Sequence, residues 1–549
     1  MFRRLAALAA LTALAVWPSP AAAEGSRNGE GIQHIVVIYE ENHSFDNLYG
    51  GWEGVNGLSS ATASHTLQVS QGGVQYSCLL QKDVNLATAG CFPNAAFTID
   101  NFIQPTATTC PKPRGTFAAH GVLKGSGLPG GCTADLVHRF YQEQYQLHDG
   151  AQNRYVTGSD AVGLTMGVYD THQLPIYVYL HQAGHPSYAI ADNFFQAAFG
   201  GSFLNHQWLV AARTPKWIGA VNDGGANDLH SVVDANGMPN NYPLYASLPG
   251  TTVKDQALTA SCSPGPGRGP TPEDVVCGDY AVNTIQPFYQ PFSPGTVDAK
   301  RLPPLMTPTI GNRLSKAGVD WAWYAGGWSN ADGDIGAPGW TSTVAGKCPD
   351  GTANNAVYPN CPDVLFQYHH QPFNYYSAYA PGTAARTAHL RDEAEFMAAA
   401  KGSTGSCNLK PVSFVKPIGS ENEHPGYTGE SQGSSHLVDL VKAIENGACA
   451  RNTMIVVTYD EFGGQWDHVT PPGQGRNHGV HDAFGPGTRV PALVIASQLR
   501  SAFVVDDTSY DTTSILATIE RRFDLDPLSR RDARVNDLMA VFRAESEQQ

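Results

Sequence analysis

Gln33–Asn47, QHIVVIYEENHSFDN, and a stretch far downstream, Asn452–His468, NTMIVVTYDEFGGQWDH, share one pattern. In each, a short run of β-branched and apolar residues ends abruptly in acidic and amide side chains, as a buried strand does when it delivers polar groups from its carboxyl end. Ile35–Ile38 lead through Tyr39 into Glu40, Glu41 and Asn42; Ile455–Val457 lead into Asp460 and Glu461, and Gly463 and Gly464 then permit a tight turn. Neighbours on a regular strand point to opposite faces, so Glu41 and Asn42 share a ligand only where the backbone curls as the strand ends. Three carboxylates and an amide oxygen at one point repel unless a cation lies between them, and hard oxygen donors suit a divalent ion. The pattern predicts one divalent metal ion held by Glu41, Asn42, Asp460 and Glu461. The alternative is a set of acids capping strand ends at the surface.

Working outward, runs of the same strand type recur at Ser187–Ala191 (SYAIA), Val319–Ala325 (VDWAWYA), Pro411–Ile418 and Val490–Ala496, separated by helical patterns. Leu136–Tyr155 reads as a helix stopped near Gly150, with His138 in its first turn; Arg386–Ala400 reads as a polar, solvated helix. Ser435–Asn446 is amphipathic, and Thr513–Phe542 reads as mostly helical with a break at Pro527. Alternating strands and helices predict an α/β fold with a mainly parallel central sheet and ligands beyond its strand ends.

The chain of 549 residues, 42% hydrophobic and 15% charged, is long and apolar enough for a large core. Its net charge of −15 argues against nucleic-acid or anionic-membrane binding by bulk electrostatics, while leaving room for an anionic substrate beside a metal. Met1–Ala23 reads as a signal peptide, with Arg3 and Arg4, an apolar run and a small-residue end, so an exported protein, periplasmic or extracellular, is expected to begin near Glu24. No later segment is apolar for long enough to span a bilayer. Ten cysteines, none in a C-x-x-C pair, fit structural disulfides between sequence neighbours, Cys78–Cys91, Cys262–Cys277 and Cys348–Cys361 among them. Polar, irregular insertions around 58–128 and 222–309 interrupt what is expected to be one catalytic domain over 24–549.

A nucleophile candidate follows the SYAIA run. Gly200 and Gly201 allow a sharp approach, and Ser202 then opens a helix running to Ala212, placing its hydroxyl where unpaired N–H groups favour a phosphate. On spacing alone an ordinary capping serine is the commoner reading of Ser202. His369 and His370, among aromatics in FQYHHQPFNYY, fit packing or metal binding, and His138 fits a packed or solvated residue.

ENHSFDN, ADNFFQAAFGGSFLNH, NEHPGY and YDEFGGQWDHVTPP together resemble, in order and over most of the mature chain, the phosphoesterase family that contains bacterial phospholipases C and secreted acid phosphatases. The resemblance implies an alkaline-phosphatase-like core. It also implies Ser202 as the nucleophile and a ligand of the metal, and His138, His369, His370 and His424 as groups facing phosphate or moving protons. Serine at 202, where phospholipases of the family usually carry threonine, points to the acid-phosphatase branch and a small phosphomonoester. A phospholipase C acting on phosphatidylcholine-type substrates is the alternative, and an exported binding protein on the same fold a third. His43 stands where many relatives carry arginine, and His468 is open between ligand support and structure. If protonated histidines hold phosphate, activity is greatest below the ordinary imidazole pKa of about 6.5.

Overall fold

The computed structural model describes residues 31–81, 90–106, 132–216, 232–234, 236–238, 241–248, 253–254, 280–402 and 406–543. Eight segments pair into one sheet: β1 (His34–Glu40), β2 (Tyr188–Ala191), β3 (Trp321–Ala325), β4 (Leu390–Asp392), β5 (Val412–Lys416), β6 (Thr453–Tyr459), β7 (Ala492–Ala496) and β8 (Phe503–Asp506). The spatial order is β4-β3-β5-β1-β6-β7-β2-β8. β1 pairs in parallel with β5 and β6, and its register with β6 runs from His34 opposite Thr453 to Glu40 opposite Tyr459. Glu41 and Asp460 therefore leave the sheet side by side. β7 alone runs against its neighbours β6 and β2, so the expected mainly parallel α/β sheet is found with one antiparallel strand.

Ile35–Ile38, Met454–Val457 and Leu493–Ile495 are at most 2% exposed, because both faces of the sheet are covered. Burial of each such side chain contributes about 1.5–3 kcal/mol before entropy is counted. The covering helices are α1 (Phe140–Leu147), α2 (Pro175–His181), α3 (Ser202–Ala211), α4 (Glu393–Lys401), α5 (Glu430–Glu445) and α6 (Thr513–Arg522). In α5, Leu437, Leu440, Val441 and Ile444 recur at helical spacing and are buried. That helix lies against α2 and α4, while α3 packs on α6.

Several local expectations are corrected. The helix expected to run from Leu136 to a stop near Gly150 begins only at Phe140, because Leu136–Arg139 are not helical and Arg139 is extended; it ends at Leu147, close to the expected stop, where His148, Asp149 and Gly150 all take positive φ. His138 thus precedes the helix instead of lying in its first turn. The solvated helix expected over Arg386–Ala400 is split: a short helix (Ala384–His389) ends in edge strand β4, whose Asp392 caps α4. Arg386 is buried, donating to Asn374 Oδ1 (2.6 Å) and pairing with Asp332. Among the described residues beyond Arg522 the chain is irregular as far as Asp537, because Asp532 gathers the Leu528 and Ser529 amides into a turn; a 3-10 turn at Leu538–Ala540 and helical residues 541–543 follow. Cys78–Cys91, Cys348–Cys361 and Cys407–Cys449 are bridged. Cys262, Cys277, Cys110 and the expected signal peptide lie outside the described residues.

Candidate active site

The ends of β1 and β6 turn into each other. Asn42 takes a left-handed φ of 62°, the curl that lets Glu41 and Asn42 face one point. Its backbone N–H donates to Asp460 Oδ1 (3.2 Å), which also accepts from the Glu461 N–H (2.8 Å). Ser202, first residue of α3, sits over this junction, with its Oγ 3.2 Å from Glu41 Oε2, 3.4 Å from Asn42 Oδ1 and 3.4 Å from Glu461 Oε1. Asp460 stands one step back, and its Oδ2 is buried without a hydrogen-bond partner.

The sharp approach to Ser202 requires its two glycines. Gly200 has φ +94°, and a Cβ there would lie 2.6 Å from the Phe140 nitrogen; on Gly201 it would lie 2.9 Å from the His138 oxygen. Two residues not anticipated from sequence hold the turn. Glu143, buried on α1, accepts from the Gly200 N–H (2.5 Å), Gln196 Nε2 (2.9 Å), the Thr488 N–H (2.7 Å) and Thr488 Oγ1 (2.9 Å). Asn205 accepts from the Ala198 N–H (2.9 Å) and donates to the Ala198 (3.1 Å) and Gly200 (3.3 Å) carbonyls.

The expected histidines all reach this site, in different ways. His138 and His369 line the pocket beside Ser202. His138 Nδ1 faces the Leu136 carbonyl (2.5 Å), leaving Nε2 toward Glu461 Oε1 (3.5 Å). His424 Nδ1 donates to the Pro425 carbonyl (2.8 Å), so its Nε2 accepts from Asn42 Nδ2 (2.8 Å) and turns Asn42 Oδ1 toward Ser202. His370 Nε2 is 3.0 Å from Glu41 Oε1 and its ring stacks on His206, 5.0 Å between centroids and 4° between planes. His206 and Lys416 were missed. The signals that could have found them are His206's place one turn after Ser202, and a lone lysine closing the apolar strand VSFVK. Lys416, fully buried, lies 2.5 Å from Glu41 Oε1.

Electrostatics separate the acids. Burial raises Asp460 and Glu461 well above the ordinary carboxylate range, and the charges of Glu41 on Asp460 and of Asp460 on Glu461 add to it. Burial acts on Glu41 as well, but His370 and Lys416 outweigh it and hold that carboxyl well below the usual range. Three crowded carboxylates, two of them with a buried oxygen that accepts no hydrogen bond, and an all-oxygen donor set therefore fit a divalent cation better than they fit one another. Burial also lowers the rings: His370 to about 4, His206 and His369 well below the ordinary value, and His424 below it. Burial thus opposes the protonated form of these four rings.

Two open residues are placed away from the pocket. His43 is buried beneath the site, between Asn47 Oδ1 (2.5 Å) and the Glu423 carbonyl (2.9 Å), and burial lowers it to about 4. It is not among the residues that line the pocket over Ser202. His468 binds Asp46 Oδ2 (2.6 Å) and Asn56 Oδ1 (3.0 Å) in a network where Arg489 pairs with Asp46 (3.0 Å) and Asp467 (3.1 Å). This network ties the segment after β1 to the segment after β6.

Over Ser202 opens a cavity of about 550 Å³ whose walls are mainly polar, including Asp135, His138, Arg139, Asn283, Gln367 and His369. A family model, the Phosphoesterase family, matches residues 32–526. Phospholipase C A of Mycobacterium tuberculosis is 23% identical over 541 residues, 93% of this chain and 77% of that protein. Phospholipase C B of the same organism is 34% identical over 159 residues, 24% of this chain and 29% of that one. Non-specific phospholipase C6 of Arabidopsis thaliana is 30% identical over 155 residues, 25% of this chain and 30% of that one. The matched stretch is thus under a third of the length of the latter two relatives. Among solved structures, a protein in the alkaline phosphatase superfamily from Vibrio parahaemolyticus is similar at a TM-score of 0.22 and 14% identity, over 42% of this chain and 51% of that one. The match across residues 32–526 shows that the chain belongs to the Phosphoesterase family.

Proposed function

We propose that this protein is an exported, metal-dependent acid phosphatase that hydrolyses phosphomonoesters through a phosphoserine intermediate. The observation that carries the reading is the placement of Ser202 Oγ, at the amino end of α3, within 3.2–3.4 Å of Glu41, Asn42 and Glu461. Glu41, Asn42, Asp460 and Glu461, with Ser202 itself, would hold the ion. A divalent cation bound there lowers the pKa of a hydroxyl and neutralises phosphoryl oxygens. Ser202 Oγ attacks phosphorus, the ester oxygen leaves on the opposite side, and water then cleaves the phosphoserine to release phosphate. The α3 amino end favours the anion, and His369 donates to it from the wall. One of the site histidines, His138, His369, His370 or His424, all of which line the pocket, would protonate the departing oxygen. The acid-phosphatase branch rests on Ser202 and the NEHPGY segment, not on protonated rings. Export rests on the Met1–Ala23 pattern and on the disulfides, which persist in oxidising compartments.

A phospholipase C is the second reading, favoured by the names of the relatives. Both readings use the same nucleophile and cation and differ in the leaving group, and the polar walls above Ser202 favour a small polar alcohol over diacylglycerol. Initial rates on a small phosphomonoester and on phosphatidylcholine micelles, for wild type and Ser202→Ala, with and without chelator, decide between them. Monoester turnover lost in the variant and on chelation is expected. Preferential lipid cleavage would select the phospholipase, and no Ser202-dependent turnover of either substrate would leave a binding protein.

A further inference from the structure

Three nitrogen groups converge on a single oxygen. Glu41 Oε1 lies 2.5 Å from Lys416 Nζ, 3.0 Å from His370 Nε2 and 3.9 Å from His206 Nε2. The other carboxylate oxygen of Glu41 faces Ser202. His206 Nδ1 faces the Ser202 carbonyl (2.8 Å), which leaves the buried Nε2 as a lone pair with no hydrogen-bond partner among the described residues. Ligand atoms of Glu41, His206 and His370 all lie within 4.8 Å of one another, and a carboxylate with two imidazoles is a donor set for a zinc-like ion. The face of Glu41 turned away from Ser202 is thus built like a second cation position.

Lys416 already stands in it. Its amine donates to the Tyr39 (2.8 Å) and Glu40 (3.2 Å) carbonyls and forms an ion pair with Glu41 Oε1, so the side chain is tethered to β1. We propose that Lys416 is a positioning residue, a built-in cation that fills this second position, aims Glu41 at Ser202, and limits the site to one divalent ion. A second ion would have to share Glu41 Oε1 with a positive amine 2.5 Å away, at a fully buried position that bulk solvent does not screen. The inference rests on the metal-dependent reading of the Ser202 site.

The test is metal content, not activity. Wild type, Lys416→Met, Lys416→Arg, His206→Ala and the double variant Lys416→Met/His206→Ala are dialysed against Mn²⁺ or Zn²⁺, and metal per folded chain is counted by atomic emission. One ion is expected in wild type and Lys416→Arg, two in Lys416→Met, and one again in the double variant. Two ions in wild type, falling to one in His206→Ala, or a single ion in folded Lys416→Met, would overturn the proposal alone. If Lys416→Met does not fold, the wild-type and His206→Ala counts still decide. No ion in wild type would instead remove the metal-dependent reading on which the inference stands.

Discussion

A Cβ placed on Gly463 would lie 2.2 Å from the carbonyl oxygen of Asn42. The two strand ends that carry the site meet at this contact, and Gly463 also needs its positive φ of 63°. Gly463→Ala therefore cannot be accommodated without moving Asn42, whose φ of 62° is already unusual. The expected outcome is a loss of about 2–4 kcal/mol of stability and a fall in turnover that exceeds the fall in folded protein. Urea unfolding and active-site titration on the same sample check it; wild-type turnover in a folded Gly463→Ala would show that Asn42 need not be held there.

Glu143 offers a second lever on the nucleophile without touching it. Its two oxygens accept four hydrogen bonds, from Gly200, Gln196 and Thr488, at 2.5–2.9 Å. Glu143→Gln keeps the shape but turns one acceptor into a donor aimed at another donor. Leaving such a buried group unsatisfied costs about 1–3 kcal/mol. Turnover should fall while the Km for substrate changes little, because Ser202 is displaced and the pocket walls are not. An unchanged kcat would show that the glycine turn is set by Asn205 and the glycines alone.

How far all this could be read beforehand differs from residue to residue. Glu41, Asn42, Asp460 and Glu461 were visible because a buried strand that breaks into acids has few structural reasons to do so, and the parallel register of β1 on β6 brings the two breaks together. Ser202 was visible from its glycines. Lys416 and Glu143 were not, because each acts through a partner far away in sequence; His206, whose Nδ1 faces the Ser202 carbonyl four residues back, was missed despite its place one turn after the nucleophile candidate. Lys416 lies 375 residues from Glu41, and Glu143 lies 345 from Thr488, so no local pattern marks either pair. The Leu136–Tyr155 and Arg386–Ala400 helices were overextended because helical composition persists through positions where tertiary contacts, Asp160 on the Val137 amide (3.0 Å) and Arg386 on Asp332, fix other backbone.

The crowding of carboxylates predicts opposite effects with and without metal. Burial and the Glu41 charge disfavour an ionised Asp460. Asp460→Asn removes that repulsion, so the metal-free variant should be more stable than metal-free wild type by about 1–3 kcal/mol. Wild type should gain about 2.7 kcal/mol when the divalent ion is supplied at a hundred times its Kd, and the variant much less. Thermal unfolding in chelator and in excess metal measures both. A metal-free Asp460→Asn less stable than wild type would mean that its bonds to the Asn42 and Glu461 amides outweigh the repulsion.

Away from the site, His436 on α5 gives the fold a pH dependence of known sign. Its Nε2 lies 2.5 Å from Glu393 Oε1 on α4 and 3.8 Å from Glu421 Oε2, with Glu40 also near enough to act on its charge. Burial works against the imidazolium, but the Glu393 hydrogen bond and charge, with Glu421 and Glu40, lift it to about 9. A folded pKa above the ordinary value of about 6.5 stabilises the fold fully below that value, and the stabilisation is lost as pH rises through 9. The shift corresponds to about 3 kcal/mol at most. Urea midpoints should therefore decline between pH 6.5 and 9 in wild type, and this segment of the curve should flatten in His436→Gln. A His436→Gln profile parallel to that of wild type across this window would place the titration elsewhere. It would leave the α4–α5 contact to the buried apolar residues Phe396, Leu440 and Ile444.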